Sequence, residues 1–127
     1  MIYGVGIDII DINRIRRVIN KYGDRFKNKC FHFDEINRSE KKLNSVESFA
    51  KRYAAKEACA KALGTGLARG VHWKDIEVKN NKYGKPYIQL HNKAKKYINL
   101  NSKEEYKIEL SLADEKEYAI ANVVIFK

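Results

Sequence analysis

The chain has 127 residues, 44% of them hydrophobic, with 26 Lys and Arg against 16 Asp and Glu, a net charge of +10. That length suits a single domain, residues 1–127, with a core that needs no disulfide. No apolar run reaches the ~20 residues of a membrane span. The first ten residues lack the basic segment and cleavage site of a signal peptide. Cys30 and Cys59 show no metal-ligand spacing, so a cytoplasmic protein with free thiols is expected. The basic excess attracts anions, whether nucleic acid, an acidic protein or a phosphorylated cofactor. No zinc-finger or RNP-type pattern supports the first.

Ile2 to Ile10 reads as a strand. Alternation puts Val5, Ile7 and Ile9 on one face and Gly4, Gly6 and Asp8 on the other. The second face is nearly bare and leaves room beside Asp8 for another backbone or a ligand. Asp11 caps an expected helix to about Tyr22, with Gly23 as its stop. Ile12, Ile15, Ile19 and Tyr22 form the apolar stripe, and Arg14, Arg17 and Lys21 lie together elsewhere beside Val18. Asp24-Arg25-Phe26 opens a short basic segment, and Asp34 suits the start of a short helix through Leu43. Asn44 with Glu47 resembles a capping box, opening a long helix to Leu63. Alanines at 50, 54, 55, 58, 60 and 62 surround that helix, which marks it as central.

Gly64-Thr65-Gly66 ends the long helix, and a glycine-rich loop follows to Gly70. Asp75 to Lys79 and Tyr87 to Leu90 read as strands around a turn at Asn80 to Gly84. Asn92 caps a helix with Ala94, Tyr97 and Ile98 inward. Ile108, Leu110 and Leu112 alternate, Asp114 to Glu117 turns, and Tyr118 to Phe126 returns as the second strand of a hairpin.

Glu57 and Lys61 project within ~40° of each other on the long helix, one turn apart. With Asp8, Glu57 forms a pair of hard oxygen ligands suited to Mg²⁺. The structural alternative has Asp8 capping a backbone N–H and Glu57 paired with Lys61. Lys61 and Arg52 suit phosphate, or simply a solvated helix face. Gly64, Thr65 and the Gly84-Lys85-Pro86 turn allow close approach to a phosphate, or serve as a helix stop and hairpin punctuation. Arg14, Arg17, Lys21, Arg25 and Phe26 suit docking of an acidic helix around an apolar centre, or form a solvated basic face. His72 and His91 have no partner spacing, and His32 between Phe31 and Phe33 reads as structural.

Three groups of residues carry a family resemblance. They are Gly4-Val5-Gly6-Ile7-Asp8-Ile9 with Arg14-Ile15, Phe49 to Ala58 (FAKRYAAKEA) with Lys61-Ala62 and Gly64-Thr65-Gly66, and Gly84-Lys85-Pro86 with Leu110 to Glu115 and Tyr118-Ala119. In order, spacing and length the chain resembles the short, trimeric bacterial holo-acyl-carrier-protein synthases, within the 4′-phosphopantetheinyl transferases. The resemblance implies an α+β fold, a small antiparallel sheet packed with a long central helix. It implies transfer of 4′-phosphopantetheine from coenzyme A to a serine of apo-acyl carrier protein in fatty acid biosynthesis, releasing adenosine 3′,5′-bisphosphate.

By the same resemblance, Asp8 and Glu57 hold Mg²⁺. Glu57, directly or through a bound water, takes the serine proton, and Lys61 steadies the pyrophosphate. Arg52, Gly64, Thr65, Gly84, Lys85 and Pro86 belong to the nucleotide wall, and Arg14, Arg17, Arg25 and Phe26 to the carrier-docking surface. A homotrimer with active sites between subunits is implied. Some relatives place a histidine where this chain has Asp114, so no histidine is assigned to catalysis. A basic nucleic-acid-binding module and an inactive protein of the same fold are the competing readings. The missing base-reading motif weighs against the first, and the retained Asp8, Glu57 and Lys61 against the second.

Overall fold

The computed structural model describes residues 1–100 and 105–127. In chain order the elements are β1 (Ile2–Asp11), α1 (Ile12–Tyr22), α2 (Asp24–Cys30), α3 (Phe33–Glu40), α4 (Ser45–Leu63), a 3-10 turn (Trp73–Asp75), β2 (Ile76–Asn80), β3 (Pro86–Leu90), α5 (Asn92–Leu100), β4 (Lys107–Glu115) and β5 (Tyr118–Phe126). β1, β5 and β4 form one antiparallel sheet in that order, and β2 and β3 form a separate hairpin. This is the α+β arrangement expected, with α4 laid across the three-stranded sheet.

The glycines of β1 explain how α4 gets there. A Cβ on Gly4 would meet the Ala62 carbonyl oxygen at 2.0 Å, and one on Gly6 the Ala58 oxygen at 1.8 Å. Only glycine admits a helix backbone this close. The bare strand face is therefore filled by another backbone over most of its length. Ala50, Ala54, Ala55, Ala58, Ala60 and Ala62 are all buried, as a helix enclosed on several sides requires. Phe31, Phe49, Leu63, Ile76, Val78, Val123 and Ile125 fill the remaining core.

The opposite face of the sheet is open. Val5, Ile7 and Ile9 are 57%, 62% and 60% exposed. They pair across β1–β5 with Val124, Asn122 and Ile120.

Several local expectations change. The basic segment after Gly23 is a helix, α2, packed through Cys30. α3 starts at Phe33 with His32 as its N-cap residue, ahead of Asp34, and ends at Glu40 short of Leu43. Asn44 precedes α4 without a side-chain cap hydrogen bond. Asp11 does cap α1, accepting from the Asn13 N–H at 2.8 Å. Gly64 ends α4 with φ of 87°, in the left-handed region that glycine tolerates.

Candidate active site

β1 and α4 together bring Asp8, Glu57 and Lys61 to one place. α4 runs antiparallel to β1, with Ala62 over Gly4 and Ala58 over Gly6, so Asp8 falls beside the middle of the helix. The Lys61 ammonium donates to Asp8 Oδ1 at 3.0 Å and to the Ile7 carbonyl at 3.1 Å. Lys61 thus pairs across the fold with Asp8, and the i,i+4 pair with Glu57 of the structural alternative is not the contact it makes. Asp8 is mostly covered, at 17% side-chain exposure.

Glu57 is left as the half-buried carboxylate of the group. Burial raises its pKa first, and the Asp8 charge raises it further; Lys61 and Arg14 pull it down. Glu57, whose carboxyl feels the Asp8 charge, forms with Asp8 a hard-oxygen donor set that a divalent cation would neutralise. The residues present therefore fit such an ion. Tyr53, one turn before Glu57, is pushed up to about 12 by burial and by the Glu57 charge, so its phenol stays protonated.

Alongside lies a groove of about 400 Å³ lined by Arg14, Val18, Arg25, Phe26, Tyr53 and Trp73, among others. The structure brings three of the four expected docking residues to this groove. Arg17 is exposed but does not line it. Arg14, which lines the groove, also lowers the Glu57 pKa through its charge, while Glu57 itself is not among the lining residues. Trp73 stacks on Tyr53 at 4.3 Å between ring centroids. Sequence reasoning missed both aromatics. Their loop and helix positions converge only in the fold.

The expected nucleotide wall lies elsewhere. Gly84, Pro86 and Arg52 line a cavity of about 190 Å³ with Lys42, Ser48 and Lys51. Arg52 and Glu57 are five residues apart on α4, ~140° around the helix, so this cavity sits on another flank. Arg52 is not on a solvated helix face. It is 5% exposed, and its guanidinium donates to the Val78 carbonyl and to Asn80 Oδ1. Lys42 and Lys51 were missed, since nothing in their spacing sets them apart from other surface lysines. The Lys42 pKa is lowered by burial and then by the charges of Lys51, Arg38 and Arg52, a crowding of cations that an anion would relieve. Lys85 is exposed and pairs with Glu109 at 3.4 Å. Gly64 and Thr65 sit just beyond Lys61, with the Thr65 hydroxyl donating to the Gly66 carbonyl at 2.7 Å.

The residue next to Glu57 has a different task. Lys56 is wholly buried and donates to Glu35 Oε1 at 2.9 Å, to the Trp73 carbonyl at 3.2 Å and to the Ile76 carbonyl. Burial pushes its pKa down, and Glu35 opposes that. This cluster joins α3, α4 and β2.

Known proteins fit this geometry. The family model of the 4′-phosphopantetheinyl transferase superfamily matches residues 4–123. A holo-[acyl-carrier-protein] synthase of Rhizobium meliloti is 57% identical over 90 residues, 71% of this chain. That match takes in 65% of the relative's own length. The crystal structure of the holo-[acyl-carrier-protein] synthase from Neisseria meningitidis aligns over 100% of both chains with a TM-score of 0.86 and 34% identity. The synthase from Bacillus anthracis, solved in complex with CoA, aligns over 98% of this chain and 96% of its own, with a TM-score of 0.79 and 37% identity. The chain belongs to the 4′-phosphopantetheinyl transferase superfamily.

Proposed function

We propose that the chain, as one domain over residues 1–127, transfers 4′-phosphopantetheine from coenzyme A to a serine of apo-acyl carrier protein. The carrying observation is the placement of Glu57: a half-buried carboxylate that feels Asp8, Lys61 and the Arg14 of the neighbouring basic and aromatic groove. Arg14, Arg25 and Phe26 would seat an acidic helix of the carrier, with charge at the rim and the aromatic at the centre. Arg17 would add long-range attraction only.

Glu57 would then accept the proton of the carrier serine as its oxygen attacks the β-phosphorus of coenzyme A. The bond to the leaving oxygen of adenosine 3′,5′-bisphosphate breaks. Asp8 and Glu57 would hold Mg²⁺. When bound, that ion supplies charge neutralisation at the pyrophosphate and aligns it for transfer. Lys61 would leave Asp8 in part to meet pyrophosphate oxygens, with the Gly64 and Thr65 backbone adjacent.

The nucleotide would use the second cavity, with Lys42 and Lys51 as anion contacts, Gly84, Lys85 and Pro86 as its wall, and Arg52 bracing it from behind. The two halves lie on different flanks of α4, which suits a site assembled between subunits. The open face of Val5, Ile7 and Ile9 suits burial in a homotrimer. Membership in fatty acid biosynthesis and action in the cytoplasm follow from the proposed carrier. They accord with two buried free cysteines and with the absence, among the described residues, of a helix long and apolar enough to cross a membrane.

The test mixes the protein with apo-acyl carrier protein, coenzyme A and Mg²⁺ and reads the carrier mass. A gain of one phosphopantetheine is expected. No gain across varied carriers would overturn the enzymatic reading. Chelation should stop the gain and added Mg²⁺ restore it; transfer that persists without divalent ions would remove the metal assignment.

A further inference from the structure

Away from Asp8 and Glu57, three metal-ligating side chains converge. One ring nitrogen each of His32 and His91 and one carboxylate oxygen of Glu77 lie within 4.8 Å of one another. Three separate elements supply them: His32 precedes α3, Glu77 lies in β2, and His91 joins β3 to α5.

Backbone contacts fix each position. The His32 N–H donates to Glu35 Oε1 at 3.0 Å, and its Nε2 donates to the Lys74 carbonyl at 2.6 Å. The His91 N–H donates to the Asp75 carbonyl at 2.7 Å. The hairpin register sets Glu77 opposite Gln89, two residues before His91. The two imidazoles face each other at 5.1 Å between centroids, and His91 Nε2 lies 2.8 Å from Glu77 Oε1. Glu77 is only 6% exposed. A carboxylate so covered is seldom found without a cation or metal beside it.

We propose that His32, Glu77 and His91 bind a divalent first-row transition ion of the zinc class. Two imidazoles and one carboxylate are a donor set that zinc accepts in three-ligand sites, with water in the fourth position. Tetrahedral zinc with ligands at ~2.0–2.1 Å separates them by about 3.3 Å, so the wider separations, up to 4.8 Å, must close while His91 Nε2 and Glu77 Oε1, 2.8 Å apart, open slightly. Rotation of two partly exposed imidazoles supplies that. Mg²⁺ prefers oxygen ligands throughout, so the two acidic places on this chain would sort by ion. The ion would replace the His91–Glu77 proton and tie the start of α3 to the β2–β3 hairpin. Arg52, which lines one cavity with Glu77, feels the Glu77 charge, and its field moderates the affinity. None of this depends on the transferase reading.

The test titrates zinc chloride alone into the untagged, metal-stripped full chain by calorimetry, with Mg²⁺ in excess. One zinc per chain is expected, with Kd of about micromolar or tighter, and a rise in Tm at saturating zinc. The double variant H32Q/H91Q should bind at least ~50-fold more weakly and lose the Tm rise, since removal of supporting groups alone costs ~10–100-fold. Carrier loading, assayed with Mg²⁺, should persist in that variant. Cobalt binding to the unaltered chain gives a readout that needs no variant: intense visible bands mark four-coordinate ligation. A wild-type chain that takes up no zinc, a folded double variant that binds as tightly, or a weak six-coordinate cobalt spectrum would each overturn the proposal.

Discussion

Lys56 and Glu57 are neighbours in sequence and belong to two different charge clusters. Lys56 joins Glu35 and Arg52 where nothing is more than 6% exposed. Glu57 joins Asp8 and Lys61 where Lys61 is 52% exposed. In the first cluster the Lys56 ammonium is matched by a carboxylate and two carbonyls. In the second, Asp8 takes the lysine, and burial first, then the Asp8 charge, raises the Glu57 pKa. One step along the helix, ~100° around its axis, separates saturated charge, which holds a fold, from unsaturated charge, which is available to a ligand.

The contrast can be broken from either side. The largest effect is expected from Glu57→Gln, with carrier loading reduced by about 10³-fold or more, ~4 kcal/mol of transition-state stabilisation. Its urea midpoint should stay near wild type or rise slightly, because a like-charge contact with Asp8 is removed. Asp8→Ala should show the same loss of turnover. Near-native rates in either variant would dissolve the distinction.

Lys56→Met should do the opposite. It leaves Glu35 buried and short of its main partner, a loss of about 3–5 kcal/mol in unfolding free energy. Turnover per folded molecule should remain. Unfolding curves with a folded-fraction-corrected rate decide it.

Arg14→Glu should raise KM for the carrier by about 10-fold or more, an effect of ~1–3 kcal/mol at a charged interface, with little change in KM for coenzyme A. Equal effects on both would remove the docking role.

The smallest effect concerns pH. Glu57 has a folded-state pKa raised above its unfolded value, so the native state binds the extra proton. Its contribution is most favourable below the unfolded value of 4.5 and is lost as pH rises through the folded pKa. The stability gap between wild type and Glu57→Gln should therefore narrow as pH falls toward that range. A gap that widens on acidification would mean that Glu57 is held by a cation in the folded chain.

Much of this was legible in the residues. Alternation located β1 and β4, the hairpin turn and apolar run located β5, and the bare face of Gly4 and Gly6 announced a close approach. The ring of alanines made α4 central. What escaped was set by distance along the chain. Helical spacing pairs Lys61 with Glu57, yet Asp8, 53 residues away, takes the ammonium. Arg52 reads as a solvated cation until Val78 and Asn80, strands away, claim its guanidinium. α2 was hidden because its seven residues are mostly charged and hold their helix through packing. The two clusters look alike in sequence because burial is a property of the fold.

The contact of Gly4 and Gly6 with Ala62 and Ala58 has a further consequence. It sets the spacing of Asp8 from Glu57 by main chain against main chain. The two carboxylates are thereby insulated from changes of size and shape among the larger side chains. Exchanges among Phe, Leu and Ile elsewhere in the core would leave the gap between strand and helix in place. The corollary is fragility at two positions: adding a single methyl at Gly6 would pry the strand from the helix and move both carboxylates at once.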